Sequence, residues 1–274
     1  MTQAAVGWHC PECVRAAAAT VRAPQGRFGG RLATGTPVTL LLIAANVVIF
    51  VLTLVGGQAA ANDAAGLHPY SVALLGEWWR LPASMFLHTG FLHILFNMYV
   101  LYLFGQPLER LFGSLRFAAL YLLAGLGGAV ASYWFSDPRT VSVGASGAIF
   151  GLMGALAVVG RRLQYDIGTV IAVIAINLVL GFIVTGIDWR AHLGGLVTGA
   201  VVAAVLAYAP RRGRLVVQWA GLAAILLALV AATALRTQDL RSPLGLAAVP
   251  QPVHSSSPAG DEMPAVSFSR VTAA

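Results

Sequence analysis

The sequence predicts an all-α polytopic membrane protein, a bundle of six membrane-spanning helices followed by one additional C-terminal span. Three observations predict this fold class. Hydrophobic residues make up 58% of the 274 residues and charged residues only 10%, whereas about a quarter of the residues in a soluble domain are charged. The apolar residues form several runs long enough to cross a bilayer. Arginines cluster between these runs, which is typical of the cytoplasmic loops of membrane proteins.

The net charge of +7 comes from these arginine clusters. Because the arginines lie in short clusters between apolar runs, the charge does not indicate nucleic-acid binding. The expected surroundings of the protein are the lipid bilayer of the cell membrane, which the chain would cross several times.

Residues 1–36 are rich in Ala, Gly and Arg and are expected to form a basic, flexible tail. They do not resemble a cleavable signal peptide, since the first apolar run begins too late. His9, Cys10 and Cys13 could form half of a zinc knuckle, but a structural zinc site needs four ligands. Whether these residues bind zinc stays open, and neither a metal site nor a cofactor is predicted elsewhere.

Seven spans are predicted, over residues 38–55, 91–105, 115–135, 146–160, 168–186, 191–209 and 216–235. A long loop, 56–90, separates the first two spans. The resulting domains are a tail over 1–36, a six-span core over 37–210, a seventh span over 211–235 and a second tail over 236–274. That second tail is rich in Pro, Ser and Ala and is expected to be disordered.

The arginine counts predict the orientation. The N-terminal tail, Arg110, the pair Arg161-Arg162 and the cluster at 211–214 share one side, which should be cytoplasmic. Loops on the opposite side carry fewer arginines, each close to an acidic residue. The N-terminus is therefore expected in the cytoplasm.

Ser146 and His192 are predicted to meet at the extracytoplasmic end of the bundle, since they begin the fourth and sixth spans. The fourth span has about 15 residues and is roughly 22 Å long, against a hydrocarbon core of about 30 Å. Ser146 should thus lie below the outer surface, in a water-filled cavity. It follows Gly144 and begins a helix, whose first backbone N–H groups can stabilise an oxyanion. His192 would act as the general base, and no acidic residue is placed to orient it, so the pair would be a dyad.

The second span adds hydrogen-bond donors at the same end. His93 and Asn97 lie at positions i and i+4 on one helix face, and both could stabilise an oxyanion beside the Ser146 backbone N–H. His88 lies farther out, on the preceding loop, and is a supporting candidate.

Other interpretations of these residues stay open. A glycine-flanked serine can reflect close helix packing alone. A cluster of His and Asn could carry protons in a transporter or bind a metal, although a metal site needs at least three ligands. Gly147-x3-Gly151 and Gly195-x3-Gly199 favour close approach of the fourth and sixth spans, which would bring His192 to Ser146.

Over about residues 70–205 the chain resembles the rhomboid family of intramembrane serine proteases. Five short motifs occur in the family's order, on the predicted spans and loops. They are Glu77-x-Trp79-Arg80, His88-x4-His93-x3-Asn97, Gly105-x3-Glu109-x3-Gly113, Gly144-Ala145-Ser146-Gly147 and Ala191-His192-x2-Gly195-x3-Gly199.

The resemblance implies cleavage of single-span membrane proteins in or just outside the bilayer, by a dyad of Ser146 and His192. It assigns the oxyanion hole to His93, Asn97 and the Ser146 backbone, and implies that Phe150 packs on the histidine. The seventh span resembles the family's six-plus-one subtype. Inactive relatives lose the serine or the histidine, whereas this chain keeps both; a catalytically inactive binder of membrane proteins remains the alternative.

Overall fold

The protein is described by a computed structural model that covers residues 2–3, 7–20, 25–30, 35–184 and 186–242. Two short strands, β1 (Thr2–Gln3) and β2 (Trp8–His9), pair antiparallel near the N-terminus. The helices of the described residues are α1 (Pro11–Thr20), α2 (Pro37–Gly56), α3 (Gln58–Ala65), α4 (Pro69–Leu75), α5 (Arg80–Ala83), α6 (Phe91–Phe112), α7 (Ser114–Phe135), α8 (Ser146–Leu163), α9 (Gly168–Ile183), α10 (Trp189–Tyr208) and α11 (Arg214–Arg241). A short 3₁₀ turn, Ser84–Phe86, follows α5.

Six of the described helices are long and apolar enough to cross a membrane, namely α2, α6, α7, α8, α10 and α11. Their outward faces carry exposed apolar side chains such as Val55, Phe96 and Leu227, which suits contact with lipid. The predicted all-α polytopic fold is therefore confirmed. The predicted span over 168–186 corresponds to the apolar helix α9, which has 16 residues. At 1.5 Å per residue, α9 is roughly 24 Å long and shorter than a hydrocarbon core of about 30 Å.

The centre of the bundle is formed by α7, α8 and α10, which make the most extensive contacts with one another. Helices α8 and α10 run in the same direction. Helix α9 connects the end of α8 to the start of α10. We call the end of the bundle where α8 and α10 begin the serine end, and the end where they finish, near Arg162 and Arg211, the arginine end. Large side chains fill the interior, including the fully buried Tyr121, Phe117 and Leu152.

Two helices are longer than the sequence predicts. The second span was expected to end at residue 105, but α6 continues through Pro107 to Phe112, because Leu108 and Phe112 are fully buried. The predicted disordered tail from residue 236 is wrong up to residue 241, since α11 continues to Arg241. Thr237 is buried there with its hydroxyl 2.9 Å from the Tyr133 hydroxyl. Residues 243–274 lie outside the described part of the chain.

The expected flexible N-terminal tail also needs correction where it is described. Residues 11–20 form α1, in which the Cys13 backbone N–H donates to the Cys10 sulfur at 3.1 Å. Phe28 is buried against Phe112, with ring centroids 5.3 Å apart, and its carbonyl accepts a hydrogen bond from Gln218 in α11. Part of the segment before α2 therefore packs on the bundle instead of extending freely into solvent.

Glu109 joins three helices at the arginine end. Its carboxylate accepts hydrogen bonds from the backbone N–H groups of Val38 and Thr39, at 3.0 and 2.8 Å, and from the hydroxyls of Thr39 and Ser114, at 2.7 and 2.6 Å. A carboxylate at this position pairs the free N–H groups at the start of α2. Glu109 therefore fixes α2 and α7 against α6.

Arg80 has the corresponding role in the loop between α2 and α6. The side chain is buried, and its Nε donates to Glu77 Oε2 at 2.6 Å. Its Nη1 donates to the carbonyls of Asp63 and Gly66, at 2.7 and 3.0 Å. The loop is thus closed around one guanidinium group.

Candidate active site

Ser146 is the first residue of α8, and the backbone before it has an unusual conformation. Gly144 has φ of +132°, a region that strains residues with a Cβ, and its N–H donates to the carbonyl of Ser84 at 2.9 Å. A Cβ on Gly144 would lie 2.9 Å from His93 Nε2 and 3.7 Å from Ser146 Oγ. Glycine at 144 therefore keeps open the space between the serine and His93.

His192 lies in the first turn of α10, and its Nε2 is 2.9 Å from Ser146 Oγ. The imidazole is buried, and the Phe150 ring stacks on it with centroids 4.1 Å apart and planes 12° from parallel. His192 Nδ1 has no hydrogen-bond partner among the described residues. Contact with an aromatic ring, and not with a carboxylate, therefore orients this histidine.

Glycine contacts between α8 and α10 set the distance between the two side chains. A Cβ on Gly195 would lie 2.6 Å from the carbonyl carbon of Gly147 and 3.0 Å from its Cα. One turn farther along, a Cβ on Gly199 would overlap the backbone of Gly151. The two helix backbones touch because neither carries side chains at these positions.

His93 reaches the site from α6. Its Nδ1 lies 3.1 Å from the Thr89 hydroxyl and accepts a hydrogen bond from the Thr89 backbone N–H at 3.4 Å. With Nδ1 accepting, the ring proton belongs on Nε2, which is the nitrogen that faces Gly144 and Ser146. Asn97, one turn along the same helix face, is buried and donates from Nδ2 to the carbonyl of His93 at 2.8 Å.

The contact found for His88 is with His93. His88 is fully buried, and the two imidazole rings meet edge-on with centroids 5.0 Å apart. Burial, together with the neighbouring His93, lowers the pKa of His88 to about 4, so this residue is uncharged at neutral pH. His88 therefore supports the position of His93 as a neutral packing partner.

A carboxylate that the sequence analysis did not single out joins the segments carrying the serine and the histidine. Asp188 Oδ1 accepts from the Ala191 backbone N–H at 3.1 Å and caps α10. Its Oδ2 accepts hydrogen bonds from the hydroxyls of Ser132 in α7 and Ser142 in the loop before Ser146. An aspartate directly before a helix is a recognisable N-cap signal, but its two serine partners are 46 and 56 residues away.

Metal ligation has little support in the described ranges. No group of three or more His, Cys, Asp or Glu side chains there is arranged to hold a metal ion. Cys10 and Cys13 are exposed free thiols, and the side chain of His9 lies outside the description. The cluster at the serine end instead offers a hydroxyl, a base and hydrogen-bond donors, which are the groups needed for acyl transfer.

Comparison with known proteins gives consistent matches. Residues 75–209 match the Rhomboid domain family. The chain is 42% identical over 176 residues to Rhomboid protease GluP of Bacillus subtilis, covering 61% of this chain and 34% of that protein. It is 30% identical over 210 residues to Rhomboid protease AarA of Providencia stuartii, covering 64% of this chain and 74% of that protein.

A plant protein, RHOMBOID-like protein 6, mitochondrial, of Arabidopsis thaliana, is 38% identical over 144 residues, covering 50% of this chain and 46% of that protein. The chain thus spans about a third of the Bacillus relative and about three quarters of the Providencia relative. The region matched by the Rhomboid domain contains helices α6 to α10, which carry His93, Asn97, Ser146 and His192. The chain belongs to the rhomboid family.

Proposed function

We propose that this protein is an intramembrane serine protease that cleaves single-span membrane proteins in or near their transmembrane segments, through a dyad of Ser146 and His192. The observation that carries the proposal is the 2.9 Å distance between Ser146 Oγ and His192 Nε2 inside a membrane bundle. The two bacterial relatives compared above are named rhomboid proteases, which adds support.

In the first half of the reaction, Ser146 Oγ attacks the carbonyl carbon of the scissile bond, and His192 Nε2 takes the hydroxyl proton. His192 then gives that proton to the leaving amine, and an acyl-enzyme remains on Ser146. In the second half, a water molecule loses a proton to His192 and attacks the ester carbonyl. The bond to Ser146 Oγ then breaks, His192 returns the proton to that oxygen, and the new carboxyl group is released.

The oxyanion formed in both halves needs donors on the side of Ser146 that His192 does not occupy. The Ser146 backbone N–H stands at the start of α8, where it has no partner within the helix. His93 supplies an Nε2–H, since its Nδ1 already accepts from Thr89. Asn97 keeps a second amide hydrogen beyond the one donated to His93. Removing one such donor typically lowers kcat by about 10²–10³.

The substrate must unfold locally before it reaches Ser146. A transmembrane helix satisfies its own peptide groups with internal hydrogen bonds, so its carbonyls are not exposed to a nucleophile. Small or helix-weakening residues near the cleaved bond reduce the cost of opening a turn, by up to about 1 kcal/mol for each glycine relative to alanine. Substrates with such segments are therefore proposed to be preferred. The arginine distribution supports a position of the dyad toward the extracytoplasmic side.

The test uses the purified full chain in detergent with a model single-span substrate that contains a glycine-rich, helix-weak segment. The parent should cleave it, whereas Ser146→Ala and His192→Ala should not. Ser71→Ala, which removes a serine hydroxyl of α4 that lies 2.9 Å from His68 Nδ1, is the matched control and should cleave at the parent rate. Cleavage that survives Ser146→Ala would contradict the dyad.

A second measurement separates a protease from an inactive binder. A fluorophosphonate probe reacts with a serine only where a base and an oxyanion hole activate it. Labelling of the parent and of Ser71→Ala, but not of Ser146→Ala or His192→Ala, is the expected result. Co-purification of a single-span protein without any labelling of Ser146 would favour the inactive binder.

A further inference from the structure

A cavity of about 550 Å³ opens at the arginine end, on the opposite side of the bundle from Ser146. It lies between the last turns of α8 and α10 and the first turn of α11. Four arginines line it together with aromatic and apolar side chains: Arg27, Arg162, Arg211, Arg214, Phe28 and Tyr208. Nothing in the proposed protease chemistry uses this cavity.

None of the cavity arginines forms an ion pair among the described residues. Ion pairs of the described residues join Arg80 to Glu77 and Arg236 to Asp239. Both pairs lie at the serine end, and neither involves a cavity arginine. Two carboxylates at the arginine end have other partners. Glu109 accepts hydrogen bonds from α2 and from Ser114, and Asp166 accepts one from the backbone N–H of Gly168.

Neighbouring groups contact two of the cavity arginines. The Arg162 guanidinium lies over the Tyr208 ring, 5.3 Å from its centroid. Arg214 Nε is buried and has no hydrogen-bond partner in the described part of the chain. Arg214 and the buried Arg116 both lie next to Gly29: a Cβ on Gly29 would be 3.3 Å from Arg214 Cδ and 3.7 Å from Arg116 Nη2. The guanidinium group of Arg116 therefore lies close to the cavity arginine Arg214.

Helix ends modify this charge without cancelling it. The C-termini of α8 and α10 each contribute about half a negative charge at the cavity, and the N-terminus of α11 about half a positive charge. The sum of these three contributions is about half a negative charge, against four guanidinium groups. The start of α11 has no side-chain cap, so its first backbone N–H groups are available to an anion.

We propose that this cavity binds a phosphate-bearing anion, with the phosphate between Arg162 and Arg211 and beside the start of α11. Arginine pairs with phosphate through two parallel hydrogen bonds, and helix N-termini bind phosphate for the reasons given above. The cavity lies where transmembrane helices end, which is the level of lipid headgroups. Basic pockets between such helices suit anionic lipid headgroups, and Phe28, Leu163 and Tyr208 give an acyl or glycerol group apolar contact.

The experiment measures lipid retention by the full chain. The delipidated protein in detergent is titrated with phosphatidylglycerol or phosphatidylcholine, and bound lipids are counted by native mass spectrometry. The test variant is Arg162→Gln/Arg211→Gln. The matched control is Arg161→Gln/Arg212→Gln, which removes the same charge from adjacent exposed positions that do not line the cavity.

We expect parent and control to bind one phosphatidylglycerol with affinities within a factor of two, and the test variant to bind at least tenfold more weakly. Phosphatidylcholine should bind more weakly than phosphatidylglycerol, because its choline group meets the arginines. Thermal melting of each variant shows whether it is folded, and the single variant Arg211→Gln replaces the double one if that does not fold. Equal weakening in test and control variants would overturn the proposal, since it would show a diffuse charge effect.

A competition with millimolar inorganic phosphate identifies the source of the anion. If phosphate displaces phosphatidylglycerol from the parent, the cavity also takes free phosphate; if it does not, the lipid headgroup is the ligand. Both results support a phosphate site. Binding of neither phosphatidylglycerol nor phosphate to the parent would overturn it.

Discussion

The contact between Gly195 and Gly147 leads to the sharpest prediction, because it separates geometry from chemistry. Gly195→Ala leaves Ser146, His192 and all the oxyanion donors in place. Its new Cβ would overlap the Gly147 carbonyl oxygen and sit 2.6 Å from the carbonyl carbon, whereas carbon atoms in contact are about 3.5–4.0 Å apart. Helices α8 and α10 must therefore separate by at least about 1 Å at this level.

Gly195 is three residues from His192, less than one helical turn, so most of that displacement reaches the dyad. The distance between Ser146 Oγ and His192 Nε2 would grow from 2.9 Å to about 3.9 Å, beyond hydrogen-bond reach. A misplacement of about 1 Å can lower the rate by about 10²-fold, and overpacking of this kind costs about 1–3 kcal/mol of stability. We expect Gly195→Ala to fold with a lower Tm and to lose about 99% of its kcat/KM.

Cleavage of the model substrate, fluorophosphonate labelling and thermal melting should be measured together, below the Tm of the variant. Gly56→Ala at the end of α2, where a new Cβ meets nothing within 4 Å, is the control and should behave as the parent. Gly147→Ala should fall between the two, since its Cβ would lie 3.3 Å from the Ala191 carbonyl oxygen. Full activity in Gly195→Ala would refute the view that this contact sets the dyad distance.

Three further predictions concern residues around the dyad and at the far end of the bundle. Phe150→Leu should lower kcat about 2- to 10-fold through loss of the ring contact, while KM stays unchanged. Phe135→Leu, at a side chain that faces outward, should change neither constant. A change in KM alone for Phe150→Leu would contradict the orienting role of the ring. Asp188→Asn should lower kcat and Tm together, because the amide cannot accept from Ala191 and from both serine hydroxyls; the loss should cost about 1–3 kcal/mol of unfolding free energy. Asp137→Asn, at an exposed position, is the control. Equal kinetics of the two variants would argue against a role of Asp188 in positioning the dyad. Glu109→Gln should destabilise the fold by about 1–3 kcal/mol in chemical or thermal unfolding, with Arg110→Gln unchanged, and no difference between them would count against the capping role.

Much of the fold, and the residues proposed for the candidate site, could be predicted because both depend on short sequence patterns. Apolar runs longer than about 18 residues define spans regardless of partners, and a glycine-flanked serine at a helix start and a histidine at another helix start are visible in the sequence. Their meeting could be expected from small residues spaced by four on both helices. The 2.9 Å separation agrees with that expectation, whereas the ring stack of Phe150 was expected from the family resemblance alone.

The features that sequence reasoning missed depend on contacts between distant segments. Asp188 looks like an ordinary helix cap until Ser132 and Ser142 are brought to it by the fold. Pro107 suggests a helix end, but the burial of Leu108 and Phe112 carries α6 past it. Likewise the docking of Phe28 against α11 could not be read from a segment whose composition is that of a loose tail.

The aromatic support of His192 has a consequence for how the site responds to solution conditions. A phenyl ring carries no charge and does not titrate, so neither pH nor salt changes the force that orients the imidazole. His192 Nδ1 has no hydrogen-bond partner among the described residues, so no ionised group bonded to the ring has to hold the imidazole in place. The stacking contact that orients the base should therefore persist at any pH and ionic strength at which the protein stays folded.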